Sequence, residues 1–182
     1  PKPSSAASDV YKRQGEAPMR VLFSAHGIPE KLVTGKGDPY QEQVETTVAA
    51  VVAEIEARRG PIDHTICYQS RVGPMKWLGP STPEAIQSAA EDGVGVVVTP
   101  VAFVSEHVET LVELDIEYAE LARDKGVVPY LRAPAVGIEP LFIDALAEAA
   151  VGALGRTGVA PHGQGCKADW KACPHRNGRH AA

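Results

Sequence analysis

Two histidines and a row of glutamates are the residues of this chain best suited to chemistry. The stretch Ser105-Glu-His-Val-Glu-Thr-Leu-Val-Glu-Leu-Asp-Ile-Glu-Tyr118 places His107 and Glu109 at a predicted strand-to-helix junction and repeats carboxylates at Glu109, Glu113 and Glu117. On an α-helix, residues four apart lie one above another, so these like charges would stack and repel. Folding does not ask for that arrangement; holding a cation or passing protons does. His26, in Ser24-Ala-His-Gly-Ile-Pro29, sits just past another predicted strand, and the glycine after it permits close approach to a ligand. Imidazole exchanges protons near neutrality, with an unperturbed pKa of about 6.5, and it ligates iron, zinc and copper. A carboxylate at Glu109, in the first helical turn, gains roughly 0.3–1 kcal/mol from the helix N-terminus and is kept ionised, ready to hold a cation. The competing readings are plainer: His26 bonding loop carbonyls, and Glu113 and Glu117 forming a solvated face opposite Leu111, Leu114 and Tyr118.

The bulk properties narrow the partners. The chain has 182 residues, 44% hydrophobic and 23% charged, enough for one domain with a real core. Net charge is -5 and the sequence pI about 5.7. No basic stripe with interleaved aromatics is present, so nucleic acid is not an expected partner. The longest apolar run, Val94 to Val104, is too short to span a bilayer. No charged-then-apolar leader is seen, and the three cysteines form no disulfide framework, so the expected setting is the cytoplasm. From Arg156 the tail carries Arg156, Lys167, Lys171, Arg176 and Arg179 against Asp169 alone. The body is correspondingly more acidic, which suits a cationic substrate.

These side chains need a scaffold, and the sequence predicts one. Residues 1–18 show no periodicity and are expected to be disordered or foreign to the fold; 19–155 form the domain; 156–182 form a basic tail with cysteines and histidines, expected to be disordered. Arg20–Ser24 reads as a strand leading into a Gly/Pro-rich loop. A helix opens at Asp38-Pro39, with Asp38 as N-cap and Gln41 completing a capping box, and runs to about Arg59. His64–Tyr68 is the second strand, followed by the loop Gln69 to Pro80 with two Gly-Pro pairs. Thr82-Pro83-Glu84 caps and starts the next helix, Gly95–Thr99 is a buried third strand, and a helix spans about Ser105 to Lys125. Val127–Leu131 is a fourth strand, placed at an edge by its proline, and a last helix covers about Glu139 to Leu154.

This alternation predicts an α/β fold, a doubly wound open parallel sheet of about four strands with flanking helices. Ligands of such sheets bind beyond the carboxyl ends of the strands, where His26, then Gln69 and Ser70, then His107 all fall. Trp77, in Gly73-Pro-Met-Lys-Trp-Leu-Gly-Pro80, is either an aromatic wall for a flat ligand or a plug beneath its loop. Gly35-Lys36-Gly37 lacks the spacing of a phosphate-binding loop. Cys67 falls in a buried strand, where it acts as a small apolar residue. Cys166 and Cys173, with His175, do not match a zinc finger.

Several of these segments, in order and in register, resemble the ferrochelatase family: Ser24-Ala-His-Gly-Ile-Pro29, Gly37-Asp-Pro-Tyr40, Gln69-Ser-Arg-Val-Gly-Pro-Met-Lys-Trp-Leu-Gly-Pro80, Pro100 through Tyr118, and Leu131-Arg-Ala-Pro134. The resemblance runs from Met19 to about Val151 and corresponds to the second of two similar α/β halves in complete members. It implies an enzyme that inserts Fe²⁺ into protoporphyrin IX to form protohaem. By that resemblance His26, His107 and Glu109 lie in the porphyrin cleft as catalytic residues, with His26 and Glu109 near the substrate metal. Glu113 and Glu117 line a proton or metal path, and Trp77, Ser70 and Gln69 border the porphyrin. His107 is the expected base with Glu109 its partner, and His26 a metal ligand or second base; the opposite split of the histidines stays open. Some members bind a [2Fe-2S] cluster through four cysteines; this tail offers Cys166 and Cys173, so an intact cluster is not expected and no cofactor is required. Peripheral membrane association is compatible with the family, and the oligomeric state is not fixed. The alternatives are a cobalt or nickel chelatase of a more polar tetrapyrrole, and a non-catalytic metal- or porphyrin-binding module.

Overall fold

The central strand is β1, Met19–His26. It pairs in parallel with β2, Asp63–Gln69, on one side and with β3, Gly95–Pro100, on the other, while the short β4, Tyr130–Arg132, lies at the edge beside β3. The structure, a computed structural model, describes residues 18–71 and 73–155. The side chain of Glu109 lies outside the described residues, as do both terminal segments, including Cys166 and Cys173.

The strand order β2-β1-β3-β4 means that the chain leaves β1 in one direction for β2 and then crosses to the opposite side for β3. The crevice between the carboxyl ends of β1 and β3 is therefore the switch point of the sheet, where α/β folds place their ligands. His26 is the last residue of β1 and stands in register with Gln69 at the end of β2.

Alternation along the strands builds a core on each face. On one face Leu22, Cys67, Val96 and Val98 pack against Ala85, Ile86 and Ala89 of helix α3 (Thr82–Glu91) and against Leu114, Tyr118 and Ala122. On the other, Phe23, Ala25 and Tyr68 pack against Val44, Val48 and Val52, which recur every fourth residue along helix α2 (Tyr40–Arg59). Gly95 must be small, because a Cβ there would fall 2.6 Å from both Met19 Sδ and Pro129 Cδ.

The helix ends differ from expectation in instructive ways. Where the sequence predicts a loop, a helix, α1 (Glu30–Lys36), follows β1 and closes on Gly37 at φ 70. Helix α2 begins at Tyr40, whose N–H is capped by Asp38 Oδ1 at 3.0 Å, but Gln41 completes no box and bonds Glu45 instead. The capping box is made one helix later by Ser81 and Glu84, one residue ahead of the expected Thr82, whose side chain is wholly buried. Hydrogen bonds from Ser81, its backbone N–H foremost, hold the Glu84 carboxyl below the usual range. Strand β4 starts after Pro129 rather than at Val127, since proline has no N–H to give a sheet.

The largest departure concerns the acid-rich helix, α4. It begins at Val108 rather than Ser105 and consists of an α turn (Val108–Leu111), a π-helical segment (Val112–Glu117) and an α segment (Tyr118–Asp124). A π turn closes i→i+5 and takes in one extra residue, and such turns occur frequently at functional sites. Glu113 and Glu117 therefore do not stack as a continuous α-helix would stack them. Glu113 is half-buried and Glu117 exposed. The last helix, α5 (Pro140–Ala153), lies where the sequence placed it.

Candidate functional site

Three loops meet at the switch point. The first follows β1. His26 is half-buried with its Nδ1 covered, and its backbone carbonyl accepts from Tyr40 Oη at 2.9 Å. Burial raises the Tyr40 phenol above its ordinary pKa, so it remains a neutral donor.

The second loop joins β3 to α4. Its Val101 N–H bonds Ser24 O at 2.8 Å, and Ala102 takes a left-handed backbone at φ 76, the kind of strain that clusters at sites where loop geometry matters. The next residue, Phe103, brings the two histidines together. Its ring meets His26 edge-on, with centroids 5.9 Å apart, and stacks with His107 at 5.8 Å and 17°. His107 is exposed, and its carbonyl accepts the N–H of Leu111 to open α4. Glu109 lies in that opening turn, its side chain outside the described residues.

The third loop follows β2 and is clamped against the first by Gly27 N–H to Gln69 O (2.8 Å), Glu30 N–H to Lys76 O (2.9 Å) and Leu78 N–H to Ile28 O (3.0 Å). Gly27 is required at this crossing, because a Cβ would come within 2.8 Å of Gln69 O. Trp77 lies over Gly27, its Cε3 3.6 Å from that same hypothetical Cβ. Its Nε1 is buried and has no hydrogen-bond partner among the described residues, a cost that a ligand or water could offset.

Gln69 and Ser70, expected beside a porphyrin, are 1% and 8% exposed and turn inward. Gln69 Nε2 donates to Glu113 Oε2 at 3.0 Å and Ser70 Oγ to the same oxygen at 2.8 Å, with Ser70 held at φ 60. Ser24 Oγ in turn donates to Gln69 Oε1 at 2.9 Å and lies 3.0 Å from Thr82 Oγ1. Their observed part is to fix the Glu113 carboxylate at the start of the π segment. The strand residue Ser24, missed by sequence reasoning, signals the relay as a polar residue within the apolar run Val21–Ala25 of β1. Replacing Gln69 with leucine should remove one of the two partners of the Ser24 hydroxyl and one donor to Glu113, costing about 1–3 kcal/mol. Urea unfolding measures this, and an unchanged midpoint would show the relay to be idle.

The rest of the relay is inert. Burial pushes the Cys67 thiol up to about 11 despite hydrogen bonds with Thr82 and Ser24, so it is no nucleophile. Tyr118 is also raised, chiefly by burial and then by the charges of Glu113 and Glu117. Cys67 is the one cysteine among the described residues. Among the described residues no group of three His, Cys, Asp or Glu side chains is placed to hold a metal ion, and no helix is long and apolar enough to cross a membrane.

Arg132, at the end of β4, completes the frame. Its guanidinium grips both oxygens of Asp115, in the π segment, at 2.6 and 2.9 Å, and Glu106 Oε1 at 2.7 Å. The Asp115 bonds are the main reason its pKa is raised; Glu106, despite burial pushing it up, is lowered by Arg132 and by the Ala135 N–H.

A parallel β/α unit with this crevice has a chelatase-like fold. A solved cobalamin (vitamin B12) biosynthesis CbiX protein of Marinobacter aquaeolei VT8 superimposes with a TM-score of 0.54 at 19% identity, covering 74% of this chain and 95% of that one. The chain itself belongs to the ferrochelatase family, whose model matches residues 4–154 and so begins inside the 1–18 segment that the sequence reading set apart. It is 55% identical over 166 residues to the ferrochelatase of Caulobacter vibrioides (strain NA1000 / CB15N), covering 90% of this chain and 47% of that protein. It is also 55% identical over 161 residues to that of Phenylobacterium zucineum (strain HLK1), covering 88% and 46%. The chain thus spans about half the length of the curated relatives it matches.

Proposed function

We propose that this chain carries the metal-inserting half of a ferrochelatase, which places Fe²⁺ into protoporphyrin IX to form protohaem in haem biosynthesis. The observation that carries the reading is the meeting of His26 and His107 on one phenyl ring at the switch point, in a chain 55% identical to curated ferrochelatases.

Insertion releases two pyrrole protons as the metal enters and strips the ion of water. His107, exposed at the mouth of the crevice, accepts a pyrrole proton, with Glu109 as its partner and His26 as metal ligand or second base; such general-base assistance is worth about 10²–10⁴ in rate. Glu113, held by Gln69 and Ser70, and Glu117 draw the cation in and pass protons outward. Phe103 and Trp77 supply apolar surface for a flat macrocycle. Contact along the ring can bend it and expose nitrogen lone pairs. Fe²⁺ is substrate here, and no resident cofactor is called for. The setting is cytoplasmic, with peripheral contact to a membrane compatible with the reading.

The alternative reading is a porphyrin- or metal-binding module without turnover. Zinc insertion into protoporphyrin, followed by fluorescence, separates the two. Zinc porphyrin accumulating past one equivalent of protein is the expected result. Saturation at one equivalent identifies the binding module, and no change in fluorescence removes both readings.

A further inference from the structure

We infer that Arg132 is a positioning residue that sets where His107 stands relative to the π-helical carboxylates. This rests on the function proposed above. Three observations lead to it. The Arg132 side chain is 17% exposed, and its planar fork is spent on two segments at once. Glu106, which it binds through Nη1, immediately precedes His107, and Glu106 is fixed a second time by the Ala135 N–H at 3.0 Å. Asp115, which it binds through Nε and Nη2, lies two residues after Glu113 inside the π segment.

One rigid group therefore spans the imidazole loop and the carboxylate turn. The residue that follows β4 anchors it to β3, through Ala133 N–H to Val98 O at 2.8 Å, and Gly137 N–H to Val104 O at 2.7 Å ties down the same loop. Stability alone gives little reason for this arrangement. Both carboxylates are 37% exposed, and ion pairs that open to solvent add little to folding. A bidentate fork adds geometric definition instead, and lysine cannot reproduce it because its ammonium is a single point of charge.

The test uses the whole chain and the variants Arg132→Lys, Asp115→Asn and Glu106→Gln. Each is measured for thermal midpoint, for NMR signals of the His107 and Phe103 rings, and for kcat and KM in zinc insertion. Arg132→Lys is expected to stay folded, to shift both ring signals, and to lose about 10²-fold in kcat with KM for porphyrin little changed, as a displacement of about 1 Å at a reacting group can do. The two amide variants should lose less, and combining either with Arg132→Lys should add little further loss, because all three act through one contact. Unmoved ring signals in Arg132→Lys would overturn the inference, as would wild-type kcat or fully additive losses. A wild-type chain without turnover counts against the proposed function only, since the ring signals still decide the role of Arg132. If Arg132→Lys fails to fold, the two near-isosteric amides decide by the same signals.

Discussion

Replacing His107 with alanine is expected to lower zinc insertion by about 10²–10⁴ in kcat and to leave the thermal midpoint close to that of the wild type. The two halves of this expectation come from the same placement. His107 is exposed, and its carbonyl, which any residue supplies, opens α4. Its ring stacks on Phe103, and an exposed substitution of this kind usually changes stability by no more than about 0.5 kcal/mol. His26→Ala should behave differently. Its ring is half-buried and abuts Phe103 edge-on, so removal opens space beneath the loop and lowers stability as well as rate. Measuring initial rates and unfolding midpoints for both variants separates the roles. A His107→Ala protein inserting zinc at the wild-type rate would remove His107 as the proposed base, and the assignment would pass to His26.

Much of this site is legible from sequence because chemistry and topology agree there. His26 and His107 each follow a strand with a strong apolar pattern, and parallel crossovers bring the carboxyl ends of such strands to one rim. The bridge between them is not legible in the same way. Phe103 is an ordinary apolar residue in Pro100-Val-Ala-Phe, and only the turn at Ala102, with its positive φ, aims the ring between the histidines. The π segment was hidden for a related reason. The spacing of Glu109, Glu113 and Glu117 fits an α-helix as written, and what widens the turn is tertiary. Tyr130 Oη donates to Leu114 O at 2.7 Å, Arg132 holds Asp115, and Gln69 with Ser70 holds Glu113. These partners come from the end of β2, the residue after it, and β4, outside the helix in sequence, so no local pattern announces them. Helix α1 was missed because Gly35 and Gly37 read as loop, although Gly37 is the left-handed cap that ends the helix.

The same tertiary origin makes Leu114 the residue through which fold and site are coupled most strongly. It is fully buried, packs in the cluster with Ile86, Val98 and Tyr118, and lies inside the π segment directly after Glu113. Leu114→Ala should cost about 2–5 kcal/mol, the transfer term for the lost methyl groups plus the cavity they leave. Against the roughly 5–15 kcal/mol that stabilises a typical domain, this is a large share. Ile116, two residues on in the same segment, is 55% exposed and serves as the control; Ile116→Ala should change stability by about 0.5 kcal/mol or less. Urea unfolding of both variants checks the contrast, and equal midpoint shifts would show that the π segment is not seated through Leu114. Activity sharpens the test. The segment is pegged to the core by Leu114 from within and to the loops by Glu113 and Asp115 from outside. Emptying the inner peg lets the turn settle toward the core and draws Glu113 away from Gln69 and Ser70. Metal insertion by the Leu114→Ala protein should therefore fall further than its loss of folded molecules explains, whereas Ile116→Ala should retain activity in proportion to its folded fraction.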